Sequence, residues 1–125
     1  IEINPQYGKA YNNRGLAKSK LKDYYGAISD YTKAIEIKPK YELAYYNRGI
    51  SKSKLKDYYG AISDYTKAIE IKPKYGKAYN NRGNAKFSIG DKKGSCDDYK
   101  KAISLGNKAT EKWFQTDGAD WCRYM

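Results

Sequence analysis

Apolar side chains recur along this chain three and four residues apart, which is the spacing of an amphipathic helix and not of a strand. The clearest run has its apolar members at Tyr24, Ala27, Ile28, Tyr31, Ala34 and Ile35. Asp23 precedes this run and can accept backbone N–H groups at a helix start, whereas Pro39 follows it and disfavours helical geometry in the residue before it. The pattern predicts a helix between these two residues, with an apolar face that must pack against another element.

The same pattern returns as an internal repeat. Lys18–Tyr41 recurs unchanged at Lys52–Tyr75, 34 residues later, and Tyr7–Gly15 recurs at Tyr75–Gly83. The repeat defines three units, at residues 8–41, 42–75 and 76–109. Because a helical hairpin of this size cannot bury its apolar face alone, we expect successive units to stack and to share a continuous core.

A first helix precedes the apolar run in each unit. In the first unit Tyr11, Gly15 and Lys18 share one side of this helix at about 100° per residue. Glycine has no side chain to hold a neighbour away, so we expect Gly15 to admit the second helix closely at Ala27 and Ala34.

These positions resemble the signature of the tetratricopeptide repeat family. The matching residues are Tyr11, Gly15, Ala27, Tyr31, Ala34 and Pro39, and then Tyr45, Gly49, Ala61, Tyr65, Ala68 and Pro73. The third unit departs from the signature, with Ser95 in place of alanine and Asn107 in place of proline. The resemblance implies an all-α fold, a right-handed α-solenoid of antiparallel helical hairpins with about seven helices, which holds a protein or peptide in its concave groove.

The two ends of the chain lie outside the three units. Ile1–Gln6 parallels Ile35–Lys40, so residues 1–7 are predicted to be the tail of a preceding repeat, and we expect the natural protein to contain more repeats. Residues 110–125 are predicted to form a C-terminal cap helix with a break at Asp117–Gly118. The cap tryptophans, Trp113 and Trp121, are expected to pack and not to stack on a ligand.

The resemblance assigns ligand binding to the side of each first helix that faces away from its second helix, which we call the groove face. In the first unit the groove face consists of Lys9, Asn12, Asn13, Leu16, Ser19 and Lys20. In the second unit it consists of Leu43, Tyr46, Asn47, Ile50, Ser53 and Lys54. In the third unit it consists of Lys77, Asn80, Asn81, Asn84, Phe87 and Ser88.

Two features of the groove face indicate a peptide ligand. Asn13, Asn47 and Asn81 occupy one repeated position, where an amide can donate to and accept from a peptide backbone; alternatively, they are solvated residues that were copied with the unit. Apolar groups also stand among the lysines, at Leu16, Tyr46, Ile50 and Phe87. This mixture suits an amphipathic or acidic and hydrophobic peptide, unless the adjacent repeat buries these four side chains.

One branch of the family binds the acidic C-terminal tails of chaperones through a clamp of lysine, asparagine and arginine. Asn47 and Lys77 match that clamp. Asn12, Leu16 and Asn81 replace a lysine, an asparagine and an arginine, which removes charges that pair with carboxylates. The sequence therefore does not predict binding of a chaperone tail.

Charged residues recur on the packing side of the helices, where the family usually has leucine and aromatic residues. They are the arginines Arg14, Arg48 and Arg82, the lysines Lys18, Lys52 and Lys86, and the aspartates Asp30, Asp64 and Asp98. Each arginine is predicted to form a partly buried ion pair with the aspartate 16 residues later, and the role of these pairs is expected to be structural.

Composition argues against catalysis and leaves two alternatives to peptide binding. The chain has no histidine, no glycine-rich phosphate loop and no metal-spaced cluster, so we expect no enzyme activity, cofactor or metal. The net charge of +11 favours acidic partners, and together with 15 tyrosines it makes binding of nucleic acid or another polyanion the main alternative. Self-association through stacked repeats is the other. No apolar run is long enough for a membrane span, which leaves the cytoplasm as the default location.

The two cysteines, Cys96 and Cys122, are 26 residues apart and form no metal or redox motif. Both lie close to the predicted cap. They either form a disulfide that joins the cap to the last repeat or remain buried thiols, and the sequence leaves both alternatives open.

Overall fold

The computed structural model describes residues 4–125, which form eight α-helices and one 3-10 helix. The helices are α1 (Pro5–Lys20), α2 (Tyr24–Ile37), α3 (Glu42–Lys54), α4 (Tyr58–Ile71), α5 (Gly76–Ser88), α6 (Lys92–Ser104), α7 (Lys108–Phe114) and α8 (Asp120–Arg123). The 3-10 helix, Asp117–Ala119, lies between α7 and α8. The all-α prediction is confirmed, and the structure has one helix more than expected because the cap is divided near the predicted break. None of the described helices is long and apolar enough to cross a membrane.

The second helix of each unit begins at its aspartate. The carboxylates of Asp23, Asp57 and Asp91 accept backbone N–H groups three residues later, at 3.0, 3.0 and 2.9 Å, which confirms the predicted caps. Helices α2 and α4 end two residues before their prolines. Helix α6 has no such proline, and the chain instead turns at Gly106 with φ of +90°, a conformation that glycine adopts without a steric penalty.

The helices form a linear array of hairpins. Helix α1 packs on α2, α3 on α4 and α5 on α6, and each second helix also contacts the first helix of the next unit, α2 with α3 and α4 with α5. The first helices also contact one another, α1 with α3 and α3 with α5, as expected for the inner layer of a curved stack. The groove face is therefore presented by α1, α3 and α5 side by side.

Alanine and tyrosine dominate the interior of each hairpin. Ala27, Tyr31 and Ala34 of α2 are buried, as are their equivalents in α4. The predicted close approach at Gly15 involves a further residue: a Cβ atom built on Gly15 would lie 2.6 Å from Cε1 of Tyr31. The glycine makes room for the tyrosine ring, which fills the space between the two helices.

At the N-terminus, the side chain of Asn4 accepts the backbone N–H of Gln6 at 2.9 Å and caps α1. The described part of the segment that was assigned to a preceding repeat therefore belongs to the start of α1. Residues 1–3 of that assignment lie outside the described residues.

The C-terminal cap is tied to the third unit by a disulfide. Cys96 of α6 and Cys122 of α8 are bonded, so the first of the two alternatives for the cysteines holds. Arg123 ties α8 to the end of α7, because its guanidinium donates to the carbonyl oxygen of Phe114 at 2.8 and 3.2 Å and to that of Thr116.

Candidate functional site

The repeated ion pairs are formed as predicted and fix the two helices of each unit against each other. In the second unit Arg48 donates through Nε and Nη2 to both oxygens of Asp64, each at 2.8 Å, and Nζ of Lys52 lies 3.1 Å from the same carboxylate. Asp64 is only 3% exposed. The hydrogen bond to Asp64 raises the pKa of the Arg48 guanidinium, so this side chain keeps its positive charge inside the array.

The same pairing occurs in the other two units. Arg14 binds Asp30 at 2.7 and 2.8 Å, and Arg82 binds Asp98 at 2.8 Å through both nitrogens. The hydrogen bond from Arg14 lowers the pKa of the Asp30 carboxyl below its usual value. The three predicted ion pairs are therefore confirmed.

Each of the last two ion pairs also reaches into the preceding unit. Nη1 of Arg48 donates to Oγ1 of Thr32 at 3.1 Å, and Nη1 of Arg82 donates to Oγ1 of Thr66 at the same distance. Arg14 belongs to the first unit, and its side chain is 56% exposed, whereas those of Arg48 and Arg82 are 17% and 16% exposed. The arginines thus hold units together as well as helices.

On the groove face, asparagines form a second set of contacts between units. Nδ2 of Asn47 donates to Oδ1 of Asn12 at 3.1 Å, and Nδ2 of Asn81 donates to the hydroxyl of Tyr46 at 3.0 Å. Asn12 is 1% exposed and Asn47 is 7% exposed. The expectation that Asn12 and Asn47 face a ligand is therefore not met, because these two amides meet each other in the interior.

The other predicted groove residues divide into an exposed and a half-buried set. The exposed residues are Lys9, Asn13, Lys20, Leu43, Lys54, Lys77, Asn84, Phe87 and Ser88. The half-buried residues are Leu16, Ser19, Tyr46, Ile50, Ser53, Asn80 and Asn81. The ring of Tyr46 packs 5.0 Å from that of Tyr75, and burial raises the pKa of the Tyr46 hydroxyl. The exposed set contains four lysines and two large apolar side chains, Leu43 and Phe87.

A cavity of about 620 Å³ opens beside the groove face, and we call it the basic cavity. It is lined by Leu43, Tyr46, Tyr75, Gly76, Leu105, Gly106 and Asn107, and by the lysines Lys72, Lys74, Lys77 and Lys108. Sequence reasoning found Leu43, Tyr46 and Lys77, but it missed the other three lysines. Those lie in or next to the turns between units, which an analysis of first helices alone does not cover.

Comparison with known proteins supports a repeat architecture. The model described as "Tetratricopeptide repeat" matches residues 8–41 and 43–75, and a second model of that description matches residues 76–107. No curated protein matches the chain.

Solved structures of similar fold include several repeat domains with bound peptides. The first such domain of Spaghetti (RPAP3), bound to the HSP90 peptide SRMEEVD, is 28% identical with a TM-score of 0.83, covering 90% of this chain and 91% of that chain. The second domain of human RPAP3, in complex with the HSP70 peptide SGPTIEEVD, is 28% identical with a TM-score of 0.83, covering 87% and 93%. The Arabidopsis OM64 domain is 29% identical with a TM-score of 0.82, covering 89% and 96%. With matches in all three units and this shared architecture, the chain belongs to the tetratricopeptide repeat family.

Proposed function

We propose that this protein is a non-catalytic interaction scaffold whose groove face binds an extended acidic peptide with apolar side chains. The observation that carries the proposal is the exposed set on α1, α3 and α5. Lys9, Leu43 and Lys77 occupy the same position in successive units and are all exposed. A peptide lying across the three helices would meet lysine, leucine and lysine in turn.

The charge of the chain and its structural relatives support this ligand class. Four lysines line the basic cavity, and the whole chain carries a net charge of +11, so carboxylates are favoured next to Leu43 and Tyr46. Repeat domains of RPAP3, which resemble this chain at 28% identity, bind peptides that end in the acidic sequence EEVD. The shared fold and the basic surface both favour an acidic peptide.

The details of recognition should nevertheless differ from those of a chaperone-tail clamp. Of the two residues that match the clamp, Lys77 is exposed but Asn47 is buried against Asn12. A buried amide that already has a partner gains little by turning to a ligand. We therefore expect selection by an apolar side chain between carboxylates, and not by a terminal carboxylate.

The test is an array of heptapeptides EEDXEED, in which X is each amino acid in turn, followed by fluorescence anisotropy with the labelled peptides that bind. Lys77→Glu should weaken binding about tenfold, because it reverses a charge on the groove face. The matched control is Lys101→Glu, since Lys101 is also exposed but lies on the second helix α6. It should leave binding unchanged.

Two outcomes would contradict the proposal. Absence of binding by every peptide of the array would remove the acidic ligand class. Equal weakening by Lys77→Glu and Lys101→Glu, together with tight binding of heparin that falls steeply with salt, would favour the polyanion alternative.

A further inference from the structure

We infer that a second cavity, at the C-terminal end of the groove face, is a pocket for an aromatic side chain of the bound peptide, and that the Cys96–Cys122 disulfide maintains it. We call this cavity, of about 430 Å³, the end pocket. It lies between α5 and the cap and is lined chiefly by Asn80, Asn84, Phe87, Tyr99, Trp113 and Trp121. The inference rests on the proposed function and specifies which residue the peptide must carry.

Four aromatic rings form the walls of the end pocket. The ring centroids of Phe87 and Trp121 are 5.1 Å apart, those of Tyr99 and Trp113 are 5.0 Å apart, and the two tryptophans are 6.1 Å apart. Phe87 is 45% exposed, so part of its ring faces the open side. The tryptophans pack on neighbouring rings, as predicted. The end pocket differs from the rest of that prediction, because an incoming ring would also contact these tryptophans at the usual aromatic spacing.

One polar group of the end pocket can bind a peptide backbone. Oδ1 of Asn84 accepts the hydroxyl of Tyr99 at 2.5 Å, and Oδ1 of Asn80 accepts the hydroxyl of Thr110 at 2.5 Å. These contacts occupy the amide oxygens. Within residues 4–125, Nδ2 of Asn84 donates no hydrogen bond, so it is available to donate to a peptide carbonyl.

The lysines beside the end pocket indicate carboxylates on one side of the aromatic residue. Lys77 lies one helical turn before Asn80 on α5, and Lys108 lies two residues before Thr110 on α7. Both lysines line the basic cavity, which adjoins the end pocket along these two helices. The occupant that matches both cavities is an extended peptide that places an aromatic residue in the end pocket and acidic residues in the basic cavity.

The end pocket occurs once among the described residues, which fixes the register of the bound peptide. Phe87 stands where the first two units have Ser19 and Ser53, and both tryptophans belong to the cap. The first two units therefore present a hydroxyl where the third presents a ring. An aromatic anchor would place the peptide in one register and not in several equivalent ones.

The disulfide holds one wall of the end pocket in place. Trp121 is adjacent to Cys122 in α8, a helix of four residues, and the disulfide joins Cys122 to Cys96 of α6. Both cysteines are almost fully buried, at 0% and 1% exposure. Opening of this bond leaves Arg123 to tie α8 to α7, so Trp121 can leave Phe87 and the pocket loses its closed end.

The first experiment compares the labelled peptides EEDWEED and EEDAEED on the oxidised protein. The tryptophan peptide should bind about tenfold more tightly, which is the scale of one interface anchor. The variant Phe87→Ser restores the residue of the first two units at an exposed position, and it should abolish the difference in affinity between the two peptides. Equal affinity for both peptides in the wild type overturns the end-pocket inference alone, whereas absence of binding by these two and by every other peptide of the array overturns the proposed function as well.

The second experiment tests the disulfide with the double variant Cys96→Ala/Cys122→Ala and with wild-type protein reduced by a phosphine until two thiols titrate. Both should lose the preference for EEDWEED. Far-ultraviolet circular dichroism reports whether the helical array persists in both proteins. Trp121→Ala keeps the disulfide but removes one wall of the end pocket, so it should lose the same preference. Retention of the full preference in reduced protein overturns the role of the disulfide.

Discussion

The ion pair between Arg48 and Asp64 offers the sharpest test of how the units are held together. Arg48→Met leaves a carboxylate that is 3% exposed with Lys52 as its remaining cation, at 3.1 Å. Asp64→Leu leaves the Arg48 guanidinium half-buried beside Thr32 without a counter-charge. Either single change strands one buried charge, whereas the double change removes both charges together.

The expected magnitudes follow from this geometry. Removal of one partner of a buried ion pair lowers the free energy of unfolding by about 3 to 5 kcal/mol. Because Lys52 still pairs with Asp64 and Thr32 still accepts from Arg48, we expect a loss of about 3 kcal/mol in each single variant. The double variant loses no more than about 3 kcal/mol, because two methionine- or leucine-sized groups replace the pair without a stranded charge. The interaction energy between Arg48 and Asp64 is therefore expected to be at least about 3 kcal/mol, at the upper end of measured couplings.

The assay is urea unfolding of the four proteins, followed by circular dichroism, with the free energy of unfolding extrapolated to water. The matched control is the same cycle on Arg14 and Asp30, which have the same bidentate geometry. Because the Arg14 side chain is 56% exposed, water and salt screen this pair, and its coupling should be distinctly smaller and more sensitive to salt. Equal couplings in the two cycles, or none for Arg48 and Asp64, would refute the argument that burial between units sets the strength.

Three further predictions concern single positions. Ser51→Ala should raise the free energy of unfolding by about 1 kcal/mol, because its buried hydroxyl has no hydrogen-bond partner among the described residues; Ala85→Ser, at the same place in the third unit, should lower it. Lys56→Gly should raise the free energy of unfolding by about 0.5 to 1 kcal/mol in the same urea assay, because Lys56 has φ of +63° where the third unit has Gly90. A loss of stability would contradict this prediction. Burial raises the pKa of the Tyr65 hydroxyl from 10.0 to about 12. The protonated hydroxyl therefore contributes fully to the stability of the folded state below pH 10.0, and this contribution is lost as the pH rises towards about 12. Tyr65→Phe should reduce this alkaline loss of stability, measured by urea unfolding across that range.

The sequence predicted those features that depend on one hairpin. The period of the repeat and the apolar stripe identified both helices, and the aspartate caps followed from local chemistry. The pairing of Arg48 with Asp64 was also predictable, since two unlike charges on facing stripes of one hairpin require each other. Each of these features is determined within a single unit.

Contacts between units were harder to predict, because helical periodicity does not show which residues the next unit covers. Asn12 and Asn47 lie on the outer side of their own hairpins, and only the stack brings their amides within 3.1 Å. Thr32 has no unusual spacing, yet it accepts a hydrogen bond from Arg48 of the next unit. The end pocket was missed for the same reason, since Phe87 meets Trp121 only after the cap folds back.

The contacts of Thr32 with Arg48 and of Thr66 with Arg82 bear on how such a protein can change length. Both contacts use the same two positions, so each of the first two units carries a threonine for the unit after it, and each of the last two carries an arginine for the unit before it. After a unit is gained or lost by recombination within the gene, the units on both sides would still carry the threonine and the arginine that the contact needs. The contact would therefore form again between the new neighbours. The third unit has Lys100 in place of this threonine. The same threonine–arginine contact can therefore form between units within the array, but not between the third unit and a unit added after it.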